Sequence, residues 1–148
     1  MRETNTIHPV VVACLGVALD IIEPCGFTYN DKLLRRAAMD YGILAEVTRH
    51  RSWERFLEAP HGRLVLLTTK APLSYGEFGF AAGDTLILGR EQSGVPAAVH
   101  DLVDARITVP MLAGARSLNV AAAAAMILGE GLRQTGAMPM LNERGRDG

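Results

Sequence analysis

A chain of 148 residues suits one domain, large enough to bury a core without help from metal or disulfide. Apolar residues make up 49% and charged ones 21%, with a formal net charge of -1, so no overall basic field announces DNA or RNA. No apolar run reaches the ~18 residues of a membrane span. The N-terminus lacks the basic-then-apolar build of a signal peptide, which makes the cytoplasm the expected compartment. Cys14 and Cys25 stand in apolar surroundings without metal-ligand spacing and read as free thiols.

In chain order, residues 1–9 show no period and carry Pro9, so they read as irregular. Val10 to Leu15 is a short apolar run that could close as helix or strand. Val17 to Glu23 reads as a buried strand stopped by Pro24. Asn30 is suited to cap a helix over Asp31 to Met39, where Lys32, Arg35 and Arg36 share one face. Glu46-Val47-Thr48 is a weak strand candidate, followed by Arg49-His50-Arg51. Ser52 can cap a helix running through Glu58, with Trp53, Phe56 and Leu57 on its apolar side.

Arg63 to Thr69 and Asp84 to Leu88 are the clearest internal strands, and Ala97 to Leu102 reads as a short helix. Ile107 to Val109 reads as a last strand, stopped by Pro110. From Val120 to Gln134 the chain is strongly helix-forming, with Ser117 as a candidate N-cap and Gly136 as the stop. Its five alanines, Ala121 to Ala125, carry so little bulk that the helix makes sense where something packs close to its backbone. The simplest such use is a tightly packed core helix. The tail after Gly136 is expected to fray. Strands alternating with helices, without hairpin signals, argue for a single α/β domain with a largely parallel sheet.

Ligands of open α/β sheets bind beyond the carboxyl ends of the strands. Three such ends stand out here. Leu67-Thr68-Thr69-Lys70 supplies two hydroxyls and a cation. Leu88-Gly89-Arg90-Glu91-Gln92-Ser93-Gly94 sets glycines around a carboxylate. Val109-Pro110-Met111 leads towards Ser117 and Asn119. Each has an ordinary explanation taken singly: a turn, a solvated lysine, a solubilising helix face. There is no Walker loop, HExxH, GxGxxG or GxSxG, which argues against phosphate-loop kinases, zinc hydrolases, dinucleotide dehydrogenases and α/β-hydrolases.

Taken in order, these motifs resemble one family. Ile22-Glu23-Pro24-Cys25-Gly26-Phe27, then Asp31 to Ala37 and Asp40-Tyr41, look like the tRNA (cytidine/uridine-2′-O)-methyltransferases that modify the wobble nucleotide. So do Leu67 to Lys70, Leu88 to Pro96, Val109 to Met111 and Arg116-Ser117-Leu118-Asn119. The last motifs are specific to the SPOUT class. The resemblance implies a SPOUT α/β knot: a largely parallel sheet, helices on both faces and a C-terminal trefoil knot. It implies S-adenosyl-L-methionine held at Leu67, Thr68, Gly89, Glu91, Gly94, Val109, Met111 and Ser117, with Ser117 and Asn119 as catalytic candidates. It implies a homodimer and the tRNA anticodon stem-loop as partner, with no DNA and no metal. Lys32, Arg35, Arg36 and Arg49, and Arg51 beside it, become candidates for RNA contact.

One departure stands against these agreements. Members of the family open with a strand and a loop of the Asn-x-Gly-x-x-x-x-Arg kind, whose arginine is tied to removing the 2′-hydroxyl proton. Here the chain begins about ten residues late for that strand. No arginine or lysine lies between Arg2 and Lys32, and residues 1–12 form an atypical N-terminus. His8 and Arg2 are the local substitutes. The departure keeps open a second reading, a noncatalytic dimeric module that binds tRNA or cofactor on the same fold.

Overall fold

Parallel pairing organises the chain. The computed structural model describes residues 2–4, 17–22, 47–88, 97–114 and 120–140. They form β1 (Arg2–Thr4), β2 (Ala18–Ile22), β3 (Val47–His50), α1 (Trp53–Glu58), β4 (Leu64–Leu67), β5 (Thr85–Ile87), α2 (Ala97–Leu102), β6 (Ala105–Ile107) and α3 (Val120–Thr135). The strands make one sheet in the order β3-β2-β1-β5-β4-β6. Every neighbouring pair is parallel.

Both faces of the sheet are covered, as a parallel sheet requires. Successive residues of a strand point to opposite faces, and the two cores follow that alternation. Val65, Leu86, Leu88 and Ile107 pack with Ala123, Ala124, Ile127, Leu128 and Leu132 of α3. Leu64, Leu66, Ile87 and Ile22 pack with Phe56 of α1 and Val99 of α2. Register agrees, since Val65 pairs with Leu86 and Leu66 with Ile87. The buried positions of α3 advance by three and one, tracing the stripe of a helix laid on a sheet. Ala123 and Ala124 leave room beneath it, while Ile127, Leu128 and Leu132 supply the burial, about 1.5–3 kcal/mol each. Of the alanine run, Ala123 and Ala124 thus lie in the core, while Ala122 is exposed.

Local signals explain the helix ends. Ser52 Oγ accepts the Arg55 N–H at the start of α1. Gly136 ends α3 at φ +70°, with Gly136 N–H bonded to Arg133 O and Ala137 N–H to Leu132 O. That double bond pattern is a Schellman cap, in which glycine tolerates the left-handed turn.

The sequence expectation is corrected at two places. Residues 2–4 are a strand rather than irregular chain, and β1 lies between β2 and β5, paired on both sides. A first strand is therefore present in this chain. Three residues show no periodicity, yet two parallel partners fix them in the sheet. The last strand is Ala105–Ile107 rather than Ile107–Val109. Its ladder stops where β4 stops, at the Leu67–Ile107 pair, and Thr108 turns to a single bridge with Ser74. The Asn30-capped helix, the Val10 to Leu15 run and the Ser117 cap lie outside the described residues.

The side of the sheet away from the strand ends is closed by charge. Asp84 is buried and takes two hydrogen bonds from Arg63, at 2.9 and 2.7 Å, and one from the Ala81 N–H at 2.9 Å. Those bonds raise the Arg63 pKa above its ordinary value, and its guanidinium also lies 4.7 Å from the Phe78 ring centre.

Candidate active site

The carboxyl ends of β5, β4 and β6 are neighbours, because these strands are consecutive in the sheet. Adjacent strands are ~4.8 Å apart, so the three ends span ~10 Å. From them emerge the three segments singled out in the sequence: Leu88 leading to Gly89, Leu67 leading to Thr68, and Ile107 leading to Val109. Chain segments separated by up to forty residues are thus gathered at one edge.

An arch joins two of these ends. Thr68 N–H donates to Ile107 O at 2.9 Å, and Thr108 N–H donates to Leu73 O at 2.9 Å. Tyr75 N–H then donates to Thr108 O at 2.9 Å. Both feet of the 68–73 segment therefore rest on two consecutive residues, Ile107 and Thr108. At the apex, Ala71 N–H donates to Thr68 O at 3.3 Å, and Lys70 N–H to Thr68 Oγ1 at 3.3 Å. A hydroxyl bonding two residues ahead is the usual way a threonine fixes a turn.

Leu67 and Thr68 are half-buried, Val109 is buried, and Met111 is 41% exposed. Among the described residues, the backbone groups of Val109, Met111 and Leu112 make no hydrogen bond to one another or to their neighbours. Beside them Met111 and Leu112 present apolar side chains to solvent. Open backbone donors and acceptors next to apolar surface are what a nucleobase-bearing ligand needs.

Gly89, Glu91, Gly94, Ser117 and Asn119 lie outside the described residues, as do Lys32, Arg35, Arg36 and His8. Arg49 is exposed on β3, the strand at the opposite edge of the sheet, and makes an interaction within the chain. Arg51 follows it, also exposed. Four strand spacings separate β3 from β4, or ~19 Å, so these arginines stand well away from the Thr68 arch.

Sequence reasoning missed a buried pair behind Arg49. Asp20 Oδ1 lies 2.8 Å from His50 Nε2, and the His50 ring meets the Phe56 ring edge-on at 5.2 Å. The available signal was a lone aspartate inside the apolar run Val17 to Ile22, since a buried carboxylate needs a partner. It also missed the returning limb Leu73-Ser74-Tyr75.

Comparison with known proteins decides the family. Residues 11–129 match the SpoU rRNA methylase family. This chain belongs to that family. A tRNA (cytidine(34)-2′-O)-methyltransferase of Ancylobacter novellus is 54% identical over 128 residues, covering 84% of this chain and 81% of the relative. A solved structure concerned with 2-OH methylation of C/U34 on tRNA is 31% identical with a TM-score of 0.75, covering 90% of this chain and 93% of that one. The fold also matches a SpoU methyltransferase of Streptomyces viridochromogenes solved with AdoMet, at 22% identity and a TM-score of 0.71, covering 90% of this chain and 58% of that one.

A SpoU methylase uses S-adenosylmethionine, and the described residues of this one fit such a donor. The open backbone of Val109 to Leu112, the apolar Met111 side chain and the Thr68 arch stand together at one sheet edge. No described cluster of three His, Cys, Asp or Glu could hold a metal ion. No helix among the described residues is long and apolar enough to cross a membrane.

Proposed function

We propose that this SpoU methylase methylates the ribose 2′-oxygen of the wobble nucleotide, cytidine or uridine, in tRNA. The observation that carries the reading is the gathering of the three loop-bearing strand ends, β5, β4 and β6, side by side. S-adenosylmethionine supplies an electrophilic methyl group when bound. The chain's part is positioning, which can lower a transfer barrier by several kcal/mol when the reacting atoms are held in line.

In this reading the adenosyl donor rests against Leu67, Thr68, Val109 and Met111, with Gly89, Glu91, Gly94 and Ser117 completing its pocket. Ser117 and Asn119 face the reacting ribose. The segment after Val109 threads an earlier loop to form the knot. Lys32, Arg35, Arg36 and Arg49 hold the anticodon stem-loop by phosphate contacts, which lets a chain of net charge -1 bind RNA through local patches. The working form is a homodimer in the cytoplasm, and the exposed Met111, Leu112 and Met126 supply apolar surface for the partner subunit.

The noncatalytic reading rested on the missing N-terminal arginine. Against it, the relative from Ancylobacter novellus is itself an enzyme by name. Catalysis is the better-supported reading. Incubation with methyl-labelled S-adenosylmethionine and undermodified tRNA is expected to label the RNA. Binding of both ligands without transfer would return the noncatalytic reading.

A further inference from the structure

Attack by a ribose 2′-hydroxyl builds negative charge on its oxygen, which a cation held near the transfer edge would stabilise. The cations whose side chains are described, a set that leaves out Arg2, divide by partner. Arg55 is paired with Glu58, Arg63 with Asp84 and Arg133 with Glu130. Arg106 donates to His100 O, and Arg49 has an interaction of its own. Two exposed cations, Arg51 and Lys70, have no bonding partner among the described residues. Arg51 follows β3 at the far edge of the sheet. Lys70 stands at the transfer edge. Arg90 and Arg116, in the neighbouring loops, lie outside the described residues.

The backbone under Lys70 is fixed. Its own N–H is held by Thr68 Oγ1, and the turn it belongs to is closed by Ala71 N–H on Thr68 O. The arch rests on Ile107 and Thr108, the residues that lead into Val109 and Met111. A rigid base and a four-carbon stem give a point charge that can reach a phosphate at short range without reordering the loop.

We propose that Lys70 is the substrate-binding cation of the methyl transfer. Its ammonium contacts the phosphate flanking the target ribose and stabilises negative charge developing on the 2′-oxygen. In the step, the 2′-oxygen forms the new C–O bond as the methyl carbon–sulfur bond breaks, its electron pair staying on sulfur. The hydroxyl proton passes to solvent water. Fixed charge placed where negative charge develops is worth about 10²–10³ in rate when removed.

The proposal rests on the methyltransferase reading, and one set of experiments separates the two. Lys70→Met and Lys70→Arg are compared with the unaltered chain in three measurements. Calorimetric affinity for S-adenosylmethionine should stay within about threefold in both variants, because the donor is held by backbone and apolar groups. The salt dependence of tRNA binding without donor should lose about one phosphate contact in Lys70→Met, a slope change of roughly 0.7–0.9. The single-turnover rate at saturating tRNA should fall about 100-fold in Lys70→Met and recover most of that loss in Lys70→Arg. Parity of Lys70→Met with the unaltered chain in rate and salt slope overturns the role of Lys70 alone. An unaltered chain that binds donor and tRNA yet transfers nothing overturns both readings.

Discussion

Thr68 N–H and Ile107 O lie 2.9 Å apart, and this bond joins the end of β4 to the end of β6. It extends the ladder by one rung past the Leu67–Ile107 pair. The consequence is that the two segments proposed to hold the methyl donor share one register. A shift of either strand would move Thr68 away from Val109 and Met111.

Thr68→Val separates the two jobs of this residue. The backbone bond to Ile107 survives, while the hydroxyl that accepts Lys70 N–H at 3.3 Å is lost. Loss of one exposed hydrogen bond should cost about 0.5–1.5 kcal/mol in urea unfolding. The rate of methyl transfer should fall further than stability does, because the turn under Lys70 loosens.

Glycine has opposite meanings at two positions. A Cβ on Gly62 would stand 1.9 Å from Gly83 O, backbone against backbone, so Gly62→Ala must displace one strand entrance. The expected cost is about 3 kcal/mol, the upper end for overpacking. Gly129, inside α3, has nothing within 4 Å of where an added methyl group would stand, and Gly129→Ala should stabilise by about 0.5–1 kcal/mol. Chemical denaturation of the pair checks both signs.

Gln134 staples the end of α3 to the loop before β5. Its Oε1 accepts Phe80 N–H at 2.8 Å, and its Nε2 donates to Phe78 O at 2.9 Å. Gln134→Ala leaves both backbone groups to find water and should cost about 1–3 kcal/mol. Amide exchange should rise at Phe80 first, ahead of the β4 and β5 strand amides.

Glu130 sets an acid dependence. Hydrogen bonds from Arg133 first, then Gln134, hold its carboxyl down to about 2 from an ordinary 4.5. A depressed folded-state value stabilises the fold at pH above 4.5, and the contribution fades as pH falls from 4.5 towards 2. Glu130→Gln should therefore lower Tm at neutral pH, with the gap to the unaltered chain closing in acid. High salt should shrink the gap too, because the pair is solvent-facing.

What the sequence disclosed was local. The bounds of α2 and the stop of α3 at Gly136 follow from helix propensity, and the start of α1 follows from its Ser52 cap. The ends of β4 and β5 were legible because Leu67 and Leu88 each close an apolar run, whereas the end of β6 was placed two residues late, at Val109 instead of Ile107. Their adjacency was not legible, since strand order depends on pairing between distant segments. β1 was missed for the same reason: Arg2, Glu3 and Thr4 have no pattern, and their place comes from β2 and β5. The Asp20–His50 pair and the Thr108 contacts of Leu73, Ser74 and Tyr75 are likewise nonlocal. Lys70 looked like any surface lysine until its neighbours were found to be fixed and its charge without a partner among the described residues.

The central claim concerns one oxygen on one nucleotide. Undermodified tRNA is incubated with the chain and S-adenosylmethionine, digested, and mapped by mass spectrometry. The account predicts a single methyl group on the ribose of the wobble nucleotide, position 34 in the naming of its relative from Ancylobacter novellus. Methyl groups on a base, on another nucleotide, or on none would contradict it.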